Sequence, residues 1–366
     1  MKKARNIIVF IFIAILIFIV INRTSDPSGT TGEWYASSSL TDYYRKTKNS
    51  IDTLYVGSSN IYAGVSPLEI YEKIGVTGYS YASSEQKVWS SYYTIVEALK
   101  TQSPKVIFLE TSEFFSDKSD QTEQGKRKAI DPLKMSSNKI EMMNDPIYEY
   151  TAFDKASCYI KLLRYHYRWS RLNWSDIEKL FGKQYSYDGY IFDNKIKSYD
   201  YDDEKAKLEE ENTPINEVQQ MPDNVKTYLD KIVNLCNEKD IKLVLLSMPT
   251  PKTWSAKKHN EIEKYSNNNN LNFIDLNTDD NISMDWDNDS SDGGIHLNIY
   301  GAEKVGDYLT KYILQNYELT DHRDDPEYTD WNDDLERYND KKGKNKEYVE
   351  EYKNYIREYK NQLKEQ

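Results

Sequence analysis

The chain has 366 residues, of which 38% are hydrophobic, enough for one large α/β domain with additions or for two small domains. Its formal net charge of −12 argues against a nucleic-acid partner, because phosphate binding needs a basic face. The 32 tyrosines would suit stacking on sugars, although composition bias in a chain rich in Lys, Asn and Ile is the simpler explanation.

The N-terminus carries an unbroken run of fifteen apolar residues, 7–21, preceded by Lys2, Lys3 and Arg5. A spanning helix needs about 20 residues, and about 17 suffice. We predict an uncleaved membrane anchor over residues 1–23, with the basic flank in the cytoplasm and the C-terminal domain extracellular. A cleaved signal peptide is the alternative, but the segment that follows lacks an A-x-A cleavage site.

A polar linker is predicted over residues 24–49, and an α/β domain over residues 50–317. Apolar runs and amphipathic segments alternate there, which predicts a doubly wound, flavodoxin-like parallel sheet. The predicted strands are 51–56, 77–81, 105–110, 241–247 and 271–276, and the predicted helices are 67–74, 86–100, 225–236, 254–267 and 298–317. In such sheets, ligands bind beyond the carboxyl ends of the strands.

Two segments depart from this alternation. Residues 113–220 show no βα repeat and are predicted to be a helical insertion, with an acidic stretch at 200–212. Residues 318–366 are predicted to be a charged tail that packs weakly or not at all. The two cysteines, Cys158 and Cys236, would form either one disulfide or two buried thiols.

Two short segments carry candidate catalytic residues. Ser59 follows Gly57 and Ser58 directly after the first predicted strand, on a turn that would hold its hydroxyl at the crevice. His296 lies in a Gly-rich loop before the last predicted helix, whereas the other three histidines lie on helices or in the tail. A serine nucleophile needs a base, and the base needs an orienting carboxylate. We expect Asp292 in that role, with Asp289 as the alternative.

Together the two segments resemble the SGNH/GDSL hydrolase superfamily, and within it the DltD-like and alginate-O-acetylation-like membrane-anchored branch. The likeness rests on the Gly-Ser-Ser turn, on the segment 78–99, and on the ending His296-Leu297-Asn298 followed by Gly301-Ala302. It covers about residues 50–112 and 222–316. The resemblance implies Ser59 as nucleophile and His296 as base.

The same resemblance implies an oxyanion hole made by the backbone N–H groups of Ser59 and Ala82, where Ala82 replaces a family glycine. The family's third-block asparagine has no match here, so we expect either that the hole lacks a side-chain donor or that Gln86 or Ser84 supplies one. The Asp-to-His spacing is also one residue longer than the family's D-x-x-H.

These residues predict a membrane-anchored extracellular serine esterase or O-acyltransferase that forms an acyl-serine intermediate on a cell-surface polysaccharide or wall polymer. The family branch also implies a membrane-bound O-acyltransferase as partner. The alternative is a catalytically inactive scaffold or binding partner of such an acyltransferase, which the departures from the family pattern favour. No CxxC, Walker loop, GxGxxG or HExxH occurs, so no cofactor or metal is predicted.

Overall fold

The structure is a computed structural model that describes residues 2–30, 32–199 and 216–364, without the side chains of residues 33, 35, 352 and 355–364. The predicted acidic stretch 200–212 lies outside the described residues.

Five parallel strands form one sheet in the order β2-β1-β3-β4-β5, which confirms the predicted doubly wound α/β fold. The strands are β1 Thr53–Gly57, β2 Gly78–Ala82, β3 Val106–Glu110, β4 Lys242–Ser247 and β5 Asn272–Asp275. The three strands β1, β2 and β3 are buried at every position, as expected for a sheet covered on both faces. In the register, Gly57 lies beside Ala82, so β1 and β2 end together.

Helices cover both faces of this sheet. They are α3 Ser59–Gly64, α4 Pro67–Ile74, α5 Val88–Ala98, α11 Asp223–Glu238, α12 Ala256–Asn268 and α13 Ile299–Asn316. Leu54 and Val56 face the apolar cluster that includes α5 and α11, whereas Tyr55 faces the cluster that includes α13. Successive side chains of β1 therefore point to opposite faces of the sheet and pack into both apolar clusters. The carboxyl ends of the strands remain available for a site.

Helix α1, Lys2–Ser25, precedes the domain. Its residues 2–21 are exposed, and it is long and apolar enough to cross a membrane by length and composition. Its 24 residues span about 36 Å, compared with a hydrocarbon core of about 30 Å. An N-terminal helix of this kind fits either a membrane anchor or a signal sequence.

The predicted linker is a packed part of the domain. It contains a short helix, α2 Ser38–Asp42, and both Leu40 and Tyr43 are buried in the main core. The hydroxyl of Ser39 donates to the carbonyl of Ser80 on β2. The segment therefore covers the free edge of the sheet, because β2 is an edge strand and its polar backbone groups need partners.

The predicted weakly packed tail is also corrected. Residues 329–364 form one helix, α14 Thr329–Lys364, with Trp331, Tyr338 and Val349 buried. The Tyr338 hydroxyl donates to the buried carboxylate of Glu69 on α4 at 2.7 Å. The first part of this charged helix thus covers α4 and belongs to the folded body.

The insertion is helical where it is described. Its α-helices are α6 Glu123–Ile130, α7 Ser137–Asn144, α8 Ala152–Tyr159, α9 Lys161–Tyr165 and α10 Trp174–Glu178. Between residues 113 and 199, the only β pairing is a single bridge between Tyr187 and Tyr190. Cys158 on α8 and Cys236 on α11 are both buried and free, so of the two expected arrangements the structure has two thiols.

Candidate active site

The turn after β1 holds Ser59 at the carboxyl edge of the sheet. A Cβ on Gly57 would lie 2.4 Å from the Cβ of Glu110, so only glycine fits between β1 and β3. The buried Glu110 carboxylate accepts hydrogen bonds from the Ser58 N–H at 3.1 Å and from the Asn60 side-chain amide at 3.4 Å. Ser58 caps α3, and Ser59 is the first residue of that helix.

The loop before α13 presents His296. Gly293 and Gly294 have φ values of +85° and +105°, a backbone region that favours glycine. Their N–H groups both donate to the Ser290 hydroxyl, at 3.1 and 2.6 Å. The Asp292 carboxylate accepts from the N–H groups of Ile295 and His296 at 3.1 and 2.9 Å, which fixes the loop around it.

The two segments meet although they are far apart in sequence. The Nε2 atom of His296 lies 2.7 Å from Oγ of Ser59, and its Nδ1 atom lies 2.6 Å from Oδ2 of Asp292. The structure therefore forms a continuous hydrogen-bonded series from carboxylate to imidazole to hydroxyl. The alternative carboxylate, Asp289, is buried and pairs instead with Lys304 at 2.6 Å.

The charge of Asp292 is stabilised locally. Partial burial acts to raise its pKa, but the N–H and ring of His296 and the N–H of Ile295 outweigh this and hold the pKa below its usual value. The carboxylate is thus ionised at neutral pH, as needed to keep Nδ1 of the histidine protonated.

Two of the expected oxyanion donors face other acceptors. The N–H of Ala82 donates to the Ser39 hydroxyl at 3.2 Å, because the segment around α2 packs against the end of β2. The Gln86 amide donates to the hydroxyls of Ser91 and Thr94 at 3.2 and 3.3 Å. Both of its amide protons are used there, so Gln86 does not supply the expected side-chain donor.

The end of β2 offers a different donor. The N–H of Ser83 is directed to the Gly57 carbonyl at 3.4 Å, whereas the N–H of Ser84 donates to no protein atom in the part of the chain that the structure describes. The N–H of Ser59, in the first turn of α3, has no acceptor within its helix. These two backbone groups remain available for an oxyanion.

Tyr62 also belongs to the site, although the sequence reasoning missed it. Its hydroxyl lies 2.9 Å from Oγ of Ser84. Burial raises the pKa of Tyr62, and the hydroxyls of Ser84 and Ser59 are both near enough to act in the opposite direction. A signal was present, because a residue three positions after Ser59 on a helix lies on the same face.

A second histidine–carboxylate pair lies at the same edge of the sheet. Nδ1 of His259 lies 2.7 Å from Asp275 at the end of β5, and Trp254 donates to the same carboxylate at 2.7 Å. The hydrogen bond with Asp275 raises the pKa of His259. His259 and Trp254 line a small pocket that also includes Asn60, the neighbour of Ser59. Sequence reasoning had given His259 no role.

Across the described residues, no group of three or more His, Cys, Asp or Glu side chains could hold a metal ion. What the arrangement offers is a hydroxyl, a base in contact with it, and the N–H groups of Ser59 and Ser84, for which the described residues supply no acceptor. That set of groups is suited to nucleophilic attack on a carbonyl carbon.

Comparisons with known proteins give little further information. No protein-family model matches the chain, and no curated protein matches it. Among solved structures, it is similar to a protein from Bacteroides fragilis that is provisionally described as an acylhydrolase, at 10% identity and a TM-score of 0.36. The match covers 78% of this chain and 99% of that one. A similarity this distant does not bear on the function of the chain.

Proposed function

We propose that the chain is a serine esterase or O-acyltransferase that works through an acyl-Ser59 intermediate. The observation that carries this proposal is the hydrogen-bonded series Asp292–His296–Ser59, with contacts of 2.6 and 2.7 Å. A serine hydroxyl becomes nucleophilic when a base accepts its proton and a carboxylate orients that base.

In the proposed first half-reaction, Nε2 of His296 accepts the Ser59 proton while Oγ attacks the ester carbonyl carbon. The negative charge that develops on the carbonyl oxygen is held by the N–H groups of Ser59 and Ser84, with the Tyr62 hydroxyl as a further donor. His296 then protonates the leaving alcohol, and the acyl group stays on Ser59. In this proposal the Ser84 N–H takes the place that the sequence gave to the Ala82 N–H, and the Tyr62 hydroxyl takes the place expected for the side chain of Gln86 or Ser84.

In the second half-reaction, His296 removes a proton from the acceptor, which attacks the acyl-Ser59 carbonyl. Water as acceptor makes the protein an esterase, and a sugar or polyol hydroxyl makes it a transferase. The catalytic residues are the same in both cases. We favour an acceptor or donor on a cell-surface polysaccharide or wall polymer, because α1 and its basic flank suit an anchored protein that faces outward.

A membrane-bound O-acyltransferase that delivers the acyl group belongs to this proposal as an expected partner. The alternative is an inactive scaffold for that enzyme. One observation favours it: the Ala82 N–H and the Gln86 amide are both taken by other acceptors. The short contacts between Ser59, His296 and Asp292 favour catalysis, since a scaffold has no need of them.

The test is covalent labelling of the full-length protein in detergent with a fluorophosphonate probe, read by intact mass. The wild type is expected to gain one label, which Ser59→Ala and His296→Gln abolish. His259→Gln is the matched control, because that histidine also bonds a carboxylate but does not contact Ser59. Labelling that survives Ser59→Ala would refute the mechanism, and a wild type that takes no label would favour the scaffold.

A further inference from the structure

The C-terminal end of α1, residues 22–25, is hydrogen-bonded to the insertion. The Asn22 amide donates to the carbonyl of Tyr159 at 3.3 Å, and its oxygen accepts from the N–H of Leu162 at 3.2 Å. Arg168 donates to the carbonyl of Ser25 at 3.1 Å and is itself held by the buried carboxylate of Asp176 at 2.7 Å. The last turn of the apolar helix therefore contacts a defined surface of the domain.

We call that surface the aromatic platform and define it as residues 159–183. It includes α9 and α10, both of which contact α1. Its large apolar side chains point to solvent, with Trp169 76%, Trp174 69% and Phe181 85% exposed. Exposed aromatic side chains beside the end of an apolar helix are typical of a membrane interface, where Trp and Tyr rings lie at the level of the headgroups.

The charge of the platform is opposite to that of the whole protein. It has six basic and two acidic residues, a net charge of +4 in a chain of net charge −12. Lys161, Arg164 and Arg168 are already ion-paired with carboxylates, so the remaining basic residues of the platform are the ones that can attract lipid. Basic residues near a bilayer are attracted to anionic lipids, by about 1 kcal/mol for each Lys or Arg at the surface.

A basic cavity of about 350 Å³ lies beside the aromatic platform and the C-terminal end of α1. Three of its cationic side chains, Arg23, Lys134 and Lys183, form no ion pair within the described ranges, whereas Arg45 interacts with the carboxylate of Asp42. Of the carboxylates in its lining, Asp26 and Asp131 pair with Lys161 outside the cavity, and Asp42 is offset by Arg45. The cavity therefore offers unpaired positive charge to an anionic group.

We infer that the aromatic platform and the basic cavity together form a docking surface for an anionic lipid bilayer. The rings enter the headgroup region, and the cavity takes a lipid phosphate. This inference rests on the anchoring of α1 that the proposed function includes, but not on the chemistry at Ser59. Its consequence is that the domain lies against the membrane in one orientation.

Tryptophan quenching tests the platform, because α1 contains no tryptophan and its insertion alone gives no signal. The full-length protein is reconstituted into vesicles of phosphatidylcholine and phosphatidylglycerol whose acyl chains are brominated near the headgroup or near the chain end. We expect quenching that is stronger with the shallow bromines and that is mostly lost in Trp169→Phe/Trp174→Phe. The matched control, Trp254→Phe/Trp286→Phe, should retain it.

Replacing cationic side chains of the cavity tests whether the anionic group comes from a lipid or from a soluble phosphate. In Arg45→Gln/Lys134→Gln/Lys183→Gln, the rise of quenching with the phosphatidylglycerol fraction should flatten. Neutralising the exposed lysines Lys264 and Lys311 should leave that rise unchanged. A rise that is abolished by free inorganic phosphate but not by sodium chloride of equal ionic strength would assign the cavity to a soluble phosphate and overturn its role in docking.

Protein that co-floats with vesicles without any quenching from Trp169 or Trp174 would overturn the inference and leave the platform to a protein partner. Protein that does not co-float would overturn it together with the anchor. Fluorophosphonate labelling of Ser59 reports separately on the proposed chemistry, because the platform variants change no residue of the Ser59–His296–Asp292 series.

Discussion

Replacing Asp292 by Asn tests how the orientation of the base affects catalysis while the shape of its loop is kept. One carboxylate oxygen accepts the N–H groups of Ile295 and His296, and the other accepts Nδ1 of the ring. In the variant, the amide oxygen must remain on the two backbone donors, so the NH₂ group faces Nδ1. The imidazole must then carry its proton on Nε2, where it donates to Ser59 and cannot accept the serine proton.

The expected loss follows from this change of tautomer. The same substitution in a Ser-His-Asp series lowers kcat by about 10⁴-fold, which corresponds to about 5 kcal/mol of activation free energy. Folding stability should change by only about 1 kcal/mol, because both backbone hydrogen bonds remain. The assay is the second-order rate of fluorophosphonate labelling, measured beside the urea midpoint of each protein.

Asp289→Asn is the matched control in the same loop, since Asp289 bonds Lys304 and not the ring. It should label at a rate close to that of the wild type, even if the urea midpoint falls. Equal labelling rates for Asp292→Asn and the wild type would refute the assigned orientation. So would a folded Asp289→Asn protein that is as slow as Asp292→Asn.

The pH dependence of folding stability follows from the same geometry. The pKa of Asp292 in the folded protein lies below its usual value, so its contribution to stability is present above the unfolded pKa and is lost only as the pH falls through the folded one. The difference in free energy of unfolding between the wild type and Asp292→Asn should therefore shrink as the pH falls below about 4, the usual pKa of an Asp side chain. Urea titrations at several pH values measure that difference, and a difference that stays constant from pH 7 to about pH 3 would contradict the stabilised charge of Asp292.

Three further predictions concern packing. Gly57→Ala places a Cβ 2.4 Å from that of Glu110 and should lower the free energy of unfolding by about 1–3 kcal/mol in urea titrations; an unchanged midpoint would disprove the tight contact. Cys158 and Cys236 should not react with iodoacetamide in the native protein, because burial raises the pKa of both thiols, that of Cys236 to about 12. Both should react once the protein is unfolded in guanidinium. An unfolded protein without free thiols would instead reveal a disulfide. Trp331→Ala should lower the free energy of unfolding by about 3–5 kcal/mol in the same titration, whereas a loose tail would show no change.

The sheet could be predicted from the sequence because short, mostly apolar runs, such as residues 106–109, are separated by amphipathic helices. The helix at residues 67–74 has the predicted bounds, and each strand lies within two residues of its predicted ends. Ser59 and His296 could also be selected, since each follows or precedes a predictable element at the carboxyl edge of the sheet.

The oxyanion region could not be predicted in the same way. Whether the N–H of Ala82 is free depends on Ser39, which is 43 residues away in a segment without an apolar pattern. For the C-terminal helix a signal was present but was outweighed by the charge of the segment. Trp331, Tyr338 and Asn345 recur every seven residues, or about two helical turns, and all three are buried.

The packing of residues 24–49 changes what an anchored active site can reach. As a flexible linker, 26 residues would let the domain move over roughly 28 Å from the end of α1. Instead, the C-terminal end of α1 is hydrogen-bonded to the insertion. Ser39 is hydrogen-bonded to the end of β2, next to the candidate oxyanion donors. The site is thus held at a fixed distance from α1. If α1 is an anchor, such a site suits an acyl donor that is presented at one place on the membrane, and it is poorly suited to searching a thick polymer layer.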